Sequence, residues 1–273
     1  MSSVLVIIPT HSNTETLPQA LRSIQQQSYE DLEVQVIADG ATKQILEIAQ
    51  EFAQSDARFR LQNHLKSVRR GEEHRHRSII ESKARYITYL ADDDLFLPDH
   101  VEYLVANLID KDFANPRPTF IDRDDHLWCI PTDISTKASR QWHFSKKVQN
   151  SISLSGVMHT KESYLRLEEG WAPTPESFRW TDLYMWRKFL SREDFRFTTT
   201  RRCTILKFAG TSNAFDEAKI AQNRKWFELM QQEGWLAKWD ELVESTHQIA
   251  AARAHARMSE SIYSKLRRKL SNS

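Results

Sequence analysis

Residues Tyr86-Ile87-Thr88-Tyr89-Leu90-Ala91-Asp92-Asp93-Asp94 decide the fold: a short apolar run ends in three consecutive carboxylates. A run of this length, rich in aromatic and β-branched side chains, predicts a buried strand. Three adjacent like charges at its end repel one another, and water or a bound cation is needed to hold them together. Mg2+ and Mn2+ take one or two carboxylates and complete their shells with water and substrate phosphates. The pattern therefore reads in two ways. It is a metal–diphosphate site at the C-terminal end of a sheet strand, or an acidic turn before the helix that starts near Pro98.

Outward from this stretch, the first half alternates strand and helix patterns. Val4 to Ile8 is a continuous apolar run, expected of a strand buried on both faces, followed by the polar loop Thr10-His11-Ser12-Asn13. Leu17, Ala20, Leu21 and Ile24 recur at helical spacing, and Glu33 to Ala38 is a second strand closing at the turn signal Asp39-Gly40. Ile45, Ile48, Ala49 and Phe52 mark a helix, Phe59 to Leu61 a third strand, and Ile79, Ile80 and Ala84 a helix leading to Tyr86. Val101, Leu104, Val105 and Leu108 mark the helix after the carboxylates. This alternation predicts an α/β fold with a mostly parallel sheet, whose ligands sit beyond the carboxyl ends of the strands. Asn13, Asp39 and the acidic triplet all fall there.

The second half is less regular. Pro118 to Asp122 and His126 to Ile130 predict a hairpin around Asp124-Asp125, Ser151 to Met158 a strand ending near His159, and Cys203 to Phe208 a final strand. Thr181-Asp182 opens a helix through Leu183, Trp186 and Leu190, with Thr181 as its cap. From Asp216 onward the pattern is helical, and the end is basic (Arg253, Arg257, Lys265, Arg267, Arg268, Lys269).

Composition narrows the class. The 273 residues are 40% hydrophobic, enough for one large domain with an appended piece, and a net charge of +1 gives no reason to expect nucleic acid as a partner. Two cysteines, Cys129 and Cys203, make no disulfide framework, and no run approaches the ~20 apolar residues of a membrane span. The expectation is a protein of the cytoplasm. Its basic C-terminal helix leaves open a peripheral contact with an anionic membrane, a solvated face or a homodimer arm.

The order Val-Ile-Ile-Pro-Thr-x-x-Asn, then Glu-Val-x-Val-Ile-x-Asp-Gly, then Arg75 through Ala84-Arg-Tyr-Ile-x-Tyr-Leu-x-Asp-Asp-Asp resembles the family 2 glycosyltransferases of the GT-A fold. The match is close over residues 4 to 110 and looser to about 208, through Thr181-Asp182-Leu-Tyr-Met-Trp-Arg187. The resemblance implies a GT-A domain over residues 1–214 with a helical extension over 215–273. Within that domain, 1–110 would form the nucleotide-sugar-binding half and 111–214 the acceptor-binding half. It implies a UDP-, GDP- or dTDP-linked sugar donor and Mn2+ or Mg2+ as cofactor. Pro9, Thr10, Asn13, Asp39, Arg75, Asp92 and Asp93 would then bind the donor, Asp92 and Asp94 the metal, and Asp182 would be the catalytic base. Several positions depart from the family pattern: Ala38, Ala41, Ala91, His76 and Thr181 stand where it usually has Asp, Ser, Asp, Asn and Glu.

The implied chemistry is metal-dependent, inverting transfer of a sugar to a carbohydrate or lipid-linked acceptor, in the building of a bacterial surface polysaccharide. Bland alternatives stand beside each residue. Asp182 is also an ordinary first-turn acid of a helix, Asp39-Gly40 an ordinary turn, and Arg69 and Arg70 an exposed charged loop. His159 reads as a diphosphate or metal contact or as a satisfied core histidine. Trp171 and Trp180 read as stacking platforms for an acceptor or as plain packing. Two rival functions use the same residues: a catalytically silent nucleotide-binding subunit, and a Mg2+-dependent phosphohydrolase or nucleotidyltransferase. The loop after the first strand has neither glycine nor lysine, which counts against a nucleotidyltransferase.

Overall fold

The computed structural model describes residues 3–145, 148–208 and 216–271, with side chains up to residue 254. Strands β1 (Val4–Thr10), β2 (Leu32–Asp39) and β3 (Phe59–His64) alternate with helices α1 (Leu17–Gln25) and α2 (Lys43–Ser55). Helix α3 (Glu72–Glu81) leads to β4 (Tyr86–Tyr89), followed by β5 (Leu95–Phe96), α4 (His100–Asn107) and β6 (Phe113–Asn115). The hairpin β7 (Thr119–Ile121) and β8 (Leu127–Cys129), α5 (Lys137–Trp142), β9 (Met158–Thr160) and α6 (Lys161–Leu165) come next. The chain continues through α7 (Thr181–Leu190), β10 (Phe197–Thr199), β11 (Ile205–Leu206), α8 (Glu217–Leu229) and α9 (Trp235–Ser271). Seven strands form the main sheet in the order β10-β6-β9-β4-β1-β2-β3. All pairings are parallel except those of β9, which runs antiparallel to both β4 and β6.

Strand β1 shows why the sheet is central. All five residues from Val4 to Ile8 are fully buried, and the period of two divides them between two layers. Val4, Val6 and Ile8 face a core with α1 and α2, whereas Leu5 and Ile7 face one built from Ile79, Tyr164, Trp186 and Phe189. The first of these cores also contains Trp226, Met230, Trp235, Trp239 and Val243. Helix α8 and the start of α9 are therefore packed into the sheet domain. The side chains of Arg257, Lys265, Arg267, Arg268 and Lys269 lie outside the described residues.

The irregular half differs from expectation in three places. The strand expected over Ser151–Met158 is a loop up to Val157, turned by Gly156 at φ 85°, and only Met158–Thr160 pairs. His159 thus sits inside a strand. The strand expected over Cys203–Phe208 shrinks to Ile205–Leu206, paired with β5 outside the main sheet. Thr181 is the first residue of α7 and not its cap; Trp180 takes the cap position without a side-chain bond. The hairpin around Asp125 forms as expected. Asp125 takes a left-handed φ of 63°, and its carboxylate accepts bonds from Gln222 (2.8 Å), Lys225 (2.5 Å) and the Trp226 indole (2.7 Å) of α8.

Candidate active site at the strand ends

Parallel pairing places the carboxyl ends of β1, β2 and β4 side by side, which collects Thr10, Asp39 and the triplet along one edge. Pro9 lies in β1 itself, one residue before its end. Asp92 is buried, with one oxygen accepting from the Thr10 hydroxyl (2.7 Å) and the other from the Asn13 amide (2.5 Å). The loop after β1 is thereby tied to the triplet. Burial and the neighbouring Asp93 push the Asp92 carboxyl up to about 7.

Asp39 is seated differently. Its carboxylate accepts from the Ser67 amide (2.6 Å) and hydroxyl (3.0 Å) and pairs with Lys66. Burial opposes its charge, but Lys66 and Ser67 outweigh burial and hold it below the usual carboxylate range. Gly71 caps α3 at φ 72°, and a Cβ there would lie 3.3 Å from Asp39. Glycine meets both demands at once.

Asp94 has no exposed surface and accepts from Ser155 Oγ (2.5 Å), Lys207 Nζ (2.7 Å) and, more weakly, the Phe208 amide (3.3 Å). Asp93 pairs with Lys219 of α8, and the Asn223 amide donates to its backbone carbonyl at 3.1 Å. Burial raises the Asp94 carboxyl despite Lys207. For Asp93, Lys207 and Lys219 together overcome burial and lower it. The triplet offers hard oxygen donors alone, and among the described residues Asp94 Oδ1 accepts one long bond, from the Phe208 amide. These residues fit a Mg2+ or Mn2+ ion held by one or two carboxylates and completed by phosphate and water. Among the described residues, the group of three side chains whose ligand atoms come within 4.8 Å of one another is Asp122, Asp124 and His126. That group sits on the hairpin turn, where Asp122 Oδ1 accepts the Asp124 and His126 amides.

Asp182, the second residue of α7, accepts from the Leu183 amide (2.8 Å) and the Asn150 side chain (3.0 Å). Burial raises its carboxyl, with Leu183, Lys207 and Asn150 pulling the other way. Lys207 feels Asp94, Asp93 and Asp182, so its charge joins the triplet to the expected base. Arg75 is 3% exposed, lies 4.3 Å over the Trp171 ring, and leaves its buried Nε without a partner. Burial opposes its charge, and Glu72, Tyr89, Asp182 and Asp39 favour it. Through Arg75 and Lys207, the charges of Asp39, the triplet and Asp182 are thus linked.

Hydrogen bonds centred on Tyr89 and Tyr164 account for His159, His76 and Trp171. The Trp171 indole donates to Tyr89 Oη (3.0 Å), Tyr89 to His159 Nε2 (2.8 Å), and His159 Nδ1 to the Thr160 carbonyl (3.0 Å). Burial depresses the His159 pKa to about 4, which keeps it neutral as this direction requires. His159 is a satisfied core residue, and Trp171 is a buried floor for Arg75, not an acceptor platform. His76 accepts from Tyr164 Oη (2.8 Å), which in turn accepts the Trp171 amide (2.7 Å). A Cβ on Gly170 would meet Tyr164 Oη at 2.2 Å and His76 Nδ1 at 2.6 Å. Gly170→Ala is therefore expected to cost about 1–3 kcal/mol in urea denaturation, as overpacked sites do. A change below about 0.5 kcal/mol would show that this knot relaxes freely.

Sequence reading missed the seats of these acids: Lys66 and Ser67, Asn150, Ser155, Lys207, Lys219 and Asn223. Only Lys207, one residue after an apolar pair, carried a local signal. The others reach the site through tertiary contact alone.

The fold is an α/β domain with polar and acidic residues grouped at its strand ends, and comparison with known proteins places it in a family. The model for "Glycosyl transferase family 2" matches residues 5–166, more than half of the chain. The chain belongs to this family. It is 31% identical over 112 residues to an uncharacterized glycosyltransferase of Rickettsia bellii, covering 41% of this chain and 16% of that protein. It is 26% identical over 109 residues to the glycosyltransferase GlyG of Streptococcus pneumoniae, covering 40% and 36%. The chain thus spans well under half of these relatives' lengths. Similarity to the GalNAc(5)-diNAcBac-PP-undecaprenol beta-1,3-glucosyltransferase of Campylobacter jejuni is 24% over 239 residues, covering 82% and 75%. Among solved structures, S. aureus TarS 1-349 in complex with UDP-GlcNAc aligns at TM-score 0.59 and 14% identity, covering 90% and 71%. The mannosyltransferase PcManGT of Pyrobaculum calidifontis, in complex with GDP-Man and Mn2+, aligns at 0.55 and 16%, covering 93% and 75%. The fold is GT-A. No helix among the described residues is long and apolar enough to cross a membrane.

Proposed function

We propose that the protein transfers a sugar, with inversion, from a nucleotide-sugar donor to a carbohydrate or lipid-linked acceptor, as in bacterial surface polysaccharide assembly. The observation that carries this reading is the grouping of Asp39 and the triplet at the strand ends, with Arg75 and Lys207 linking their charges to Asp182. The complexes of TarS with UDP-GlcNAc and of PcManGT with GDP-Man and Mn2+ support the donor class, and the PP-undecaprenol in the Campylobacter protein's name supports a lipid-linked acceptor.

In this reading, Thr10, Asn13 and Asp39 line the nucleoside side, and Arg75 turns its unpartnered guanidinium edge to the donor. A divalent ion held by Asp92 and Asp94 would supply neutralisation of the charge on the departing diphosphate. Asp182 takes the proton of the acceptor hydroxyl as its oxygen attacks the anomeric carbon, and Asn150 fixes the carboxylate's orientation. One base and one displacement invert the centre.

A thermal-shift screen of UDP, GDP and dTDP with and without Mn2+ tests the donor site. One nucleotide is expected to raise the melting temperature in a metal-dependent way. No shift with any nucleotide and any divalent ion would remove the donor assignment.

A further inference from the structure

We propose that Lys207 and Lys219 are an internal cation pair that holds the acidic triplet until donor and metal arrive, and then passes to the diphosphate oxygens. The inference rests on the donor site proposed above. Both lysines come from the last third of the chain, 113 and 126 positions from their partners. Lys207 stands just after β11, and Lys219 in the first turn of α8, where Asp216 caps the helix by accepting the Lys219 amide at 3.3 Å. Their side chains are only 24% and 14% exposed. Ammonium groups are placed this deep only where partners compensate the lost hydration.

Charge counting shows what the pairing does. With all three carboxylates ionised, the triplet carries −3, and the two ammonium groups reduce it to −1. A diphosphate approaching that cluster is repelled. A divalent ion on Asp92 and Asp94 brings the cluster to +1, which attracts the diphosphate. It also competes with the ammonium groups for the carboxylate charge. Lysine suits a handover because its ammonium is a compact point charge with three donors on a flexible stem. Asp94 Oδ2 already accepts from both Ser155 and Lys207, so Ser155 keeps that carboxylate oriented when the lysine leaves. The lysines thus make nucleotide binding conditional on the metal, with Arg75 serving the donor independently of the triplet.

Lys207→Met, Lys219→Met and Lys219→Arg in the full chain test this with two binding readouts. The first is Mn2+ alone, followed by the electron paramagnetic resonance signal of the free ion. The second is calorimetry of the nucleoside diphosphate that stabilises wild type, at saturating Mn2+, against its nucleoside. Each Met variant is expected to bind Mn2+ alone about tenfold tighter or more, because a like charge at the carboxylates is gone. Each is expected to bind the diphosphate at least about tenfold more weakly, with nucleoside binding unchanged and Lys219→Arg near wild type. If Lys207→Met fails to fold, Lys219→Met carries both readouts. Weakening of both ligands together, alongside a lower melting temperature, would reduce the lysines to structural braces and overturn the proposal. So would two unchanged affinities. Tighter Mn2+ with no nucleotide bound by wild type would overturn the handover because the donor site itself is wrong, a different pattern from either.

Discussion

Asp182→Asn is expected to lower kcat by about 10²–10⁴-fold while leaving nucleotide binding and the fold in place. The carboxylate accepts one bond at each oxygen, from Leu183 and from Asn150. Asparagine keeps the shape and forfeits one of the two, worth about 1 kcal/mol, while removing a charge that burial disfavours. The melting temperature therefore shifts by no more than about 4 °C. The pH profile separates a base from a bystander. Burial raises the Asp182 carboxyl above its ordinary value, so the ionised, proton-accepting fraction is lost as pH falls through that raised value. Wild-type kcat is expected to show an acid limb above the range of an ordinary aspartate, and the variant is expected to lack it. A variant within about tenfold of wild type (1.4 kcal/mol on the barrier), with the same acid limb, would return Asp182 to the ordinary acid of a first helical turn.

The half of this site that lies on β1, β2 and β4 was legible because parallel strands carry their ends to a common edge. A continuous apolar run such as Val4–Ile8 announces a strand covered on both faces, and the polar residues after it must then face a cleft. The strand-end position of the triplet, Asp39 and Asn13 followed from that, whereas the roles given to them came from the family resemblance. The other half rests on strands of two or three residues, too short for a period of two to show. Strand β9 reverses direction between β4 and β6, which nothing local in Met158-His159-Thr160 signals. The lysines beside the triplet were invisible for the same reason: their partners lie more than a hundred residues away. The reading of Thr181 as a helix cap failed because the helix takes up Thr181 itself, leaving Trp180, which has no oxygen to offer, at the cap.

Trp239→Ala is expected to lower stability by about 3–5 kcal/mol, a large share of the roughly 5–15 kcal/mol typical of a domain. Trp239 is 1% exposed, and its ring lies 5.6 Å from that of Trp235 and 5.9 Å from that of Trp226. Its indole N–H donates to the Cys203 carbonyl at 2.7 Å, so truncation opens a cavity and strands a buried acceptor. Cys203 lies two residues before β11 and four before Lys207, and Trp226 lies two helical turns beyond Lys219 on α8. One cluster of rings thus fixes both lysines that face the triplet. The variant, measured where it is still folded, is accordingly expected to lose diphosphate affinity as well as stability. Leu242→Ala, on the same helix but 49% exposed, serves as the comparison and is expected to change stability by no more than about 0.5 kcal/mol. Equal, small losses in urea denaturation for both substitutions would mean that α9 merely leans on the domain. In that case the C-terminal helices could not be what aligns Lys207 and Lys219 with the carboxylates.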